Sequence, residues 1–330
     1  EHFVPVGAAM TAAPNHFLRR VGAVLGGFLG LFLLSSLAVA LLHGRHGGRL
    51  GLSGEGIVAV VPLEGEIVRC DDFVDTLREL GNDVGVSAVV VRIDSPGGGV
   101  APSQEMYAAV RDLAAKKPVV ASLGSIAASG GYYVASATDE IVASPGSLTG
   151  SIGVILSLTN VSGLLEKLGV QADVLKAGAR KDMGSPFRVL APEDRAIFQQ
   201  MLDQVHGQFI EAVAAGRKMD VEQMRKLADG RVYTGQQAKE LGLVDRLGGL
   251  QDAVHVAATR AGLTGEPAVE TRRPSHRPWW LRAVVGQEAD AALDSGLGAL
   301  LRSVGLLKDG AGSGVGMLWR MPLVTEGLRS

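Results

Sequence analysis

Two stretches of the chain place serines where acyl chemistry is possible, and a third supplies lysines that could serve them. Ser125-Ile126-Ala127-Ala128-Ser129-Gly130-Gly131-Tyr132-Tyr133 reads as the end of a strand running into a helix. A serine there projects from a helix N-terminus, where the N–H groups of Gly130 and Gly131 and the helix dipole favour a developing negative charge. Small neighbours keep its Oγ accessible. The same position suits an ordinary N-cap serine, and Ser125 competes with Ser129 for either role. The pattern is not a Gly-x-Ser-x-Gly nucleophile elbow, because Ala127 stands where the first glycine would be.

The second stretch is Asp94-Ser95-Pro96-Gly97-Gly98-Gly99, again between a strand and a helix. Ligands in open parallel sheets bind at the carboxyl ends of strands. Three glycines let the backbone approach a ligand and aim N–H groups at it, which suits an oxyanion hole. Pro-Gly is also a common tight turn. No Gly-Lys-Ser/Thr follows, so this is not a phosphate loop, and the spacing is not that of a dinucleotide fingerprint.

A serine hydroxyl needs a base. No histidine lies between Gly47 and Val205. His206 and His255 fall inside helical patterns and read as helix residues. A lysine must therefore be considered, and it acts as a base only when burial away from carboxylates lowers its pKa. Lys176 and Lys181, in Lys176-Ala-Gly-Ala-Arg-Lys-Asp-Met-Gly-Ser-Pro186, are the candidates. Either is also compatible with a solvated loop.

The elements that must position these groups alternate. Ile57–Val61, Val86–Ile93, Pro118–Leu123 and Glu140–Ala143 read as short buried strands. Phe73–Leu80, Ser103–Lys116 and Ala128–Ala137 read as helices. Alternation of this kind predicts parallel strands and an α/β layered fold. Pro192 to Met219 is a longer helix, with Phe198, Leu202, Val205, Phe209 and Val213 on one face. Thr234 caps a further helix ending near Gly242, and Leu243-Val244-Asp245 reads as a short strand. Beyond about Thr271 the pattern weakens into a partly flexible tail with Pro274, Pro278 and a Gly-rich stretch from Gly310 to Gly316. Trp279-Trp280 suits either a membrane surface or packing on the domain.

The bulk composition narrows the classes. The 330 residues are 47% hydrophobic and 20% charged, with a net charge of −2, so no global basic field attracts nucleic acid. No zinc-ligand spacing is present, no cofactor is implied, and the single cysteine, Cys70, reads as a small apolar filler. Val21 to Leu42 is uncharged and would span roughly 33 Å as a helix, enough for a bilayer core of about 30 Å. The Gly-, Arg- and His-rich residues after it are a poor cleavage context, so the segment reads as a retained anchor rather than a signal peptide. Arg19 and Arg20 before it balance Arg45 and Arg49 after it, and orientation stays open on charge alone. The resulting division is a short N-terminal segment (1–20), an anchor (21–42), a linker (43–55), a catalytic domain (56–265) and a C-terminal extension (266–330).

Taken together, the motifs resemble the signal peptide peptidase A family of serine peptidases, family S49. The matching elements are Asp94-Ser-Pro-Gly-Gly-Gly-Val100, Ser125-Ile-Ala-Ala-Ser-Gly-Gly-Tyr-Tyr133, Leu148-Thr-Gly-Ser-Ile-Gly-Val154, Gly178-Ala-Arg-Lys-Asp182, Arg231-Val-Tyr-Thr-Gly235 and Gly242-Leu-Val-Asp245. The resemblance covers about residues 56 to 262, and its strength lies in the order of the motifs. It implies a Clp protease/crotonase-like fold and a Ser-Lys dyad, with Ser129 as nucleophile and Lys181 as general base. Ser151 would orient the lysine, and Gly98 and Gly130 would supply the oxyanion-hole N–H groups. It further implies hydrophobic signal-peptide remnants as substrates and a catalytic domain on the extracytoplasmic side of the cell membrane. With one domain copy and one span, the chain resembles the half-length form, a homo-oligomeric ring or dome whose dyad is completed across a protomer interface. Two alternatives follow from the same residues: a related membrane-anchored peptidase that cleaves a specific membrane protein, and a non-proteolytic crotonase-like protein needing neither Ser129 nor Lys181.

Overall fold

The computed structural model describes residues 56–274 and the backbone of 318–320. The expected anchor at 21–42, its flanks 1–20 and 43–55, Trp279-Trp280 and the Gly-rich stretch lie outside the described residues. Among the described residues, no helix is long and apolar enough to cross a membrane.

The strands are β1 (Ile57–Glu64), β2 (Val86–Ser95), β3 (Gly97–Gly99), β4 (Val119–Ala128), β5 (Glu140–Ala143), β6 (Leu148–Gly150), β7 (Val232–Thr234), β8 (Arg246–Leu247), β9 (Ala268–Thr271) and β10 (Leu318–Arg320). The helices are α1 (Asp71–Asn82), α2 (Val100–Ala114), α3 (Gly130–Ala135), α4 (Ser162–Lys167), α5 (Pro192–Arg217), α6 (Val221–Leu227), α7 (Gly235–Glu240) and α8 (Leu250–Arg260). The main sheet runs β7-β6-β4-β2-β1-β9, with β5 joining β4 to β8. All its pairings are parallel except β6 with β7. This parallel-rich α/β architecture fits the expected class.

The sheet is buried on both faces, which is why its central strands read as unbroken apolar runs rather than alternating ones. Val58, Val60, Ala88 and Val90 pack on α8 through Ala253, Val254 and Ala257. Their neighbours Ala59, Val61, Val89 and Val91 face the opposite core, with Phe73 and Leu77 of α1 and Met106 and Val110 of α2. Period-two side-chain direction thus assigns each residue its layer.

Strand β4 forks. Val120–Leu123 pairs with β5, whereas Ile126–Ala128 pairs with β6. Its length moves the start of the next helix from the expected Ala128 to Gly130. Helix α2 begins three residues earlier than expected, because Pro102 fits a first turn whose N–H groups need no partner. Leu243-Val244-Asp245 is not a strand. Both the Leu243 and Val244 N–H groups donate back to the Ala238 carbonyl (2.8 and 3.2 Å), so they close α7, and β8 starts at Arg246. The thiol of Cys70 is buried and faces Glu105 (3.4 Å), and burial pushes its pKa up to about 11.

Candidate active site

Ser129 and Ser151 leave neighbouring parallel strands at the same level. Ala128 of β4 pairs with Gly150 of β6, and each serine is the next residue. The Ser129 N–H donates to the Gly150 carbonyl at 2.8 Å, and the Ser151 N–H to the Arg231 carbonyl at 2.8 Å. Both serines have positive φ, 53° and 50°. Positive φ is costly for a residue with a Cβ, on the order of 1–3 kcal/mol, and persists where the surroundings enforce it. Here Thr149 Oγ1 donates to the Ala127 carbonyl and Ser147 Oγ to the Gly124 carbonyl, both at 2.7 Å, tying β6 to β4. Ser125 differs: it is exposed within β4, and its N–H points to the Asp94 carboxylate at 3.4 Å.

Ser129 is fully buried, and its Oγ has no hydrogen-bond partner. Buried hydroxyls without a partner are uncommon and call for an explanation. The residue is followed by α3, which is held rigidly. Tyr132 donates to the Leu243 carbonyl at 2.7 Å, and Tyr133 packs on Tyr107 and Phe209 with ring centroids 4.8 and 5.0 Å away. Burial raises the pKa of both tyrosines, that of Tyr133 to about 12.

The two glycines expected to form an oxyanion hole are brought together. A Cβ on Gly130 would sit 3.3 Å from the Gly98 nitrogen and 2.5 Å from Ser103 Oγ. Gly98 itself lies against the backbone of Ile67, where a Cβ would be 2.1 Å from the carbonyl oxygen. Strand β3 is fixed on that side: the Gly99 N–H donates to the Ile67 carbonyl (2.7 Å), and the Ile67 N–H to the Gly97 carbonyl (2.9 Å). Backbone groups alternate along a strand. The N–H and C=O of Gly98 therefore face the edge opposite Ile67. Ser103, which no sequence motif singled out, donates from Oγ to the Gly99 carbonyl at 2.8 Å and backs this corner.

No hydrogen bond joins Lys181 to Ser129 within one chain. Lys181 is exposed and, among the described residues, makes no side-chain hydrogen bond or ion pair, while Ser129 Oγ is unpartnered. Its flanking residues are instead locked down. Asp182 accepts from Lys176 (2.5 Å) and Arg188 (2.8 Å), and Asp194 in the first turn of α5 accepts from Arg180 (2.5 Å) and Arg188 (2.7 Å). The hydrogen bonds from Arg188 and Lys176 hold the Asp182 carboxyl well below the usual range, and those from Arg188 and Arg180 do the same for Asp194. Lys176 is thus engaged with a carboxylate, whereas Lys181 is presented to solvent. His206 contacts the Ile152 carbonyl through Nε2 at 3.2 Å.

Residues 111–264 match the family model described as Peptidase family S49. A Synechocystis sp. protein described as a protease, slr0021, is 54% identical over 176 residues, 53% of this chain and 64% of its own length. The chloroplastic serine protease SPPA of Arabidopsis thaliana is 34% identical over 231 residues, 69% of this chain and 34% of its own. Protease 4 of Salmonella typhi is 39% identical over 218 residues, 63% of this chain and 35% of its own. The match thus spans less than two thirds of each of these relatives.

Proposed function

We propose that this chain, which belongs to peptidase family S49, is a membrane-tethered serine endopeptidase with Ser129 as nucleophile and Lys181 as general base. The observation that carries the reading is the Ser129 hydroxyl: buried, unpartnered, held at positive φ, and beside the corner where Gly98 and Gly130 meet. An N-cap serine would not need this arrangement, and in fact Ser129 makes no side-chain cap bond to α3.

The reaction is acyl transfer in two steps. Neutral Lys181 takes the Ser129 proton as Oγ attacks a peptide carbonyl. The carbonyl oxygen becomes an oxyanion facing the N–H groups of Gly98 and Gly130. Lys181 returns the proton to the departing amine as the C–N bond breaks. It then takes a proton from water as the hydroxide attacks the acyl carbonyl, and passes that proton to Ser129 Oγ as the acyl C–O bond breaks, which restores the free serine. Ser151, beside Ser129, orients the lysine.

Ser129 Oγ has no hydrogen-bond partner within one chain, and Lys181 is exposed, so the dyad is completed between copies of a homo-oligomer. The segment that bears Lys181 supports this. Leu164, Leu168, Val174, Leu175, Phe187 and Val189 on it are all exposed, Leu175 completely. Apolar exposure on this scale marks an interaction surface. A neighbour's body covering it would also enclose Lys181.

The anchor at 21–42 tethers the oligomer to the cell membrane with the catalytic domain outside the cytoplasm. Its substrates are hydrophobic signal-peptide remnants. Labelling by a serine-acylating probe tests the nucleophile and base together: the wild type is labelled, and Ser129→Ala and Lys181→Ala are not. Labelling of Lys181→Ala at the wild-type rate would defeat the dyad. Degradation of an isolated signal peptide by the detergent-solubilised protein, in preference to intact membrane proteins, tests the substrate class.

A further inference from the structure

Strands β2 and β4 lose their even register just before they reach the site. Ile93 stands opposite Leu123, and Ser95 opposite Ala127. Asp94 therefore faces three residues of β4, Gly124, Ser125 and Ile126, where a regular ladder would place one. A bulge of this kind leaves main-chain groups without ladder partners. Here a side chain supplies the acceptors. The Ile126 N–H donates to Asp94 Oδ1 at 3.2 Å, and the Ser125 N–H to Asp94 Oδ2 at 3.4 Å. Gly124 makes room for the carboxylate, since a Cβ there would sit 2.7 Å from Oδ2. Ser147 Oγ holds the Gly124 carbonyl at 2.7 Å. Asp94 is itself anchored through its carbonyl, which accepts the Gly65 N–H at 3.0 Å, two residues before the Ile67 that fixes β3.

The bulge is where β4 changes partner, from β5 along Val120–Leu123 to β6 along Ile126–Ala128. Four residues beyond Asp94 comes Gly98, and four beyond Ser125 comes Ser129. The carboxylate thus ties together the two chain segments that deliver the oxyanion glycine and the nucleophile.

We infer that Asp94 is a positioning residue whose carboxylate, by holding the bulge in β4, sets where Ser129 stands relative to the Gly98 N–H. The inference rests on the peptidase reading of the site and adds to it a residue that acts through the main chain of others. A nucleophile and its oxyanion donors work together only when held to within roughly 0.5 Å, and a misplacement of about 1 Å costs about 10²-fold in rate. Without the carboxylate, the N–H of the exposed Ser125 turns to water and the bulge loses its fixed shape.

The test compares the full-length wild type with Asp94→Ala and Asp94→Asn, using a fluorogenic peptide of Ala, Leu and Val. Asparagine keeps one side-chain oxygen that accepts an N–H, and alanine keeps none. Asp94→Ala is expected to lower kcat about 10²-fold with KM unchanged, and Asp94→Asn to bring kcat back to within about tenfold of the wild type. Amide hydrogen exchange in Gly124–Ala128 should speed up in Asp94→Ala. Gly124→Ala reaches the same contact from the other strand, because its methyl displaces the carboxylate. It should lower kcat by a similar factor, and the double variant should lose little more than either alone. Unchanged exchange in Asp94→Ala would overturn the bond to the bulge. Faster exchange with unchanged kcat would overturn its hold on the site, and equal losses from alanine and asparagine would overturn main-chain acceptance as the cause. If Asp94→Ala does not fold, Gly124→Ala and Asp94→Asn decide: full activity in Gly124→Ala overturns the inference. Exchange is read without catalysis, so a wild type lacking peptidase activity would count against the function proposed above, while exchange still judges the bond between Asp94 and β4.

Discussion

Ser129 and Ser151 stand side by side at the carboxyl ends of β4 and β6, each turned out of its strand at positive φ, and the Ser129 N–H is bonded to the carbonyl of the residue before Ser151. Two adjacent serines in the same uncommon backbone state indicate a purpose beyond packing. In the proposed mechanism Ser129 attacks and Ser151 orients the lysine that activates it.

Ser151→Ala tests that division of labour. Alanine tolerates the φ of 50° about as well as serine does, so the fold is kept. A loss of lysine orientation should lower kcat on the order of 10²-fold with little change in KM. It should also shift the pH profile, which a purely structural residue would not do. Steady-state kinetics across pH check this, and an unchanged kcat and profile would remove Ser151 from the machinery.

Gly98→Ala and Gly130→Ala should both abolish efficient turnover, but for separable reasons. At Gly98 the new methyl meets the backbone of Ile67 at 2.1 Å, so the strand shifts and stability falls by about 1–3 kcal/mol. At Gly130 the nearest atom is the hydroxyl of Ser103, which is able to turn, so stability changes less than at Gly98. Alanine keeps its N–H at either position, so activity falls because the added methyl displaces or obstructs a donor; losing the use of one oxyanion donor costs roughly 10²–10³ in kcat. Thermal unfolding and single-turnover kinetics on both variants distinguish the two.

Asp182 and Asp194 set the acid behaviour of the segment bearing Lys181. Both carboxyls titrate below their unfolded values. The stability they contribute is therefore complete above the ordinary aspartate pKa of about 3.9 and is lost as pH falls through the depressed folded values. Limited proteolysis near residues 176–190 should stay slow at pH 4 and accelerate only in stronger acid. Asp194→Asn should make that segment protease-sensitive already at neutral pH. Equal cleavage of wild type and variant would mean that the ion pairs do not hold it.

Leu175→Glu with Val189→Glu places charge on two of the most exposed apolar positions of that segment. The double variant should dissociate into smaller species in light-scattering mass measurements and lose turnover together with assembly. Loss of turnover in an intact oligomer, or an active monomer, would separate this surface from assembly.

How much of this was legible beforehand depended on how local the signal was. Strand runs such as Val86–Ile93 were readable, and so were the strand-to-helix turns that hold Gly98, Ser129 and Gly130, whereas the roles of those three residues come from the family resemblance. Residue type alone left Ser125 and Ser129 equal. The difference lies in β4 running on to Ala128, which leaves Ser125 inside a strand and Ser129 at its end. Leu243-Val244 misled because an apolar triplet looks the same whether its amides pair in a sheet or close a helix. Asp194 gave no signal, since its partners Arg180 and Arg188 are brought to it by loop geometry. The pairing of β10 with β3 was invisible for a related reason: three residues opposite a run of glycines have no side-chain pattern to read on the glycine side.

The central claim is that Ser129 of one copy works with Lys181 of another. Co-expressing Ser129→Ala with Lys181→Ala and purifying oligomers that contain both variants tests it directly. Random mixing puts an intact serine beside an intact lysine at about one site in four, so the mixed oligomer should recover about a quarter of wild-type turnover while each variant alone stays inactive. Mixed oligomers with no recovered turnover would contradict the account.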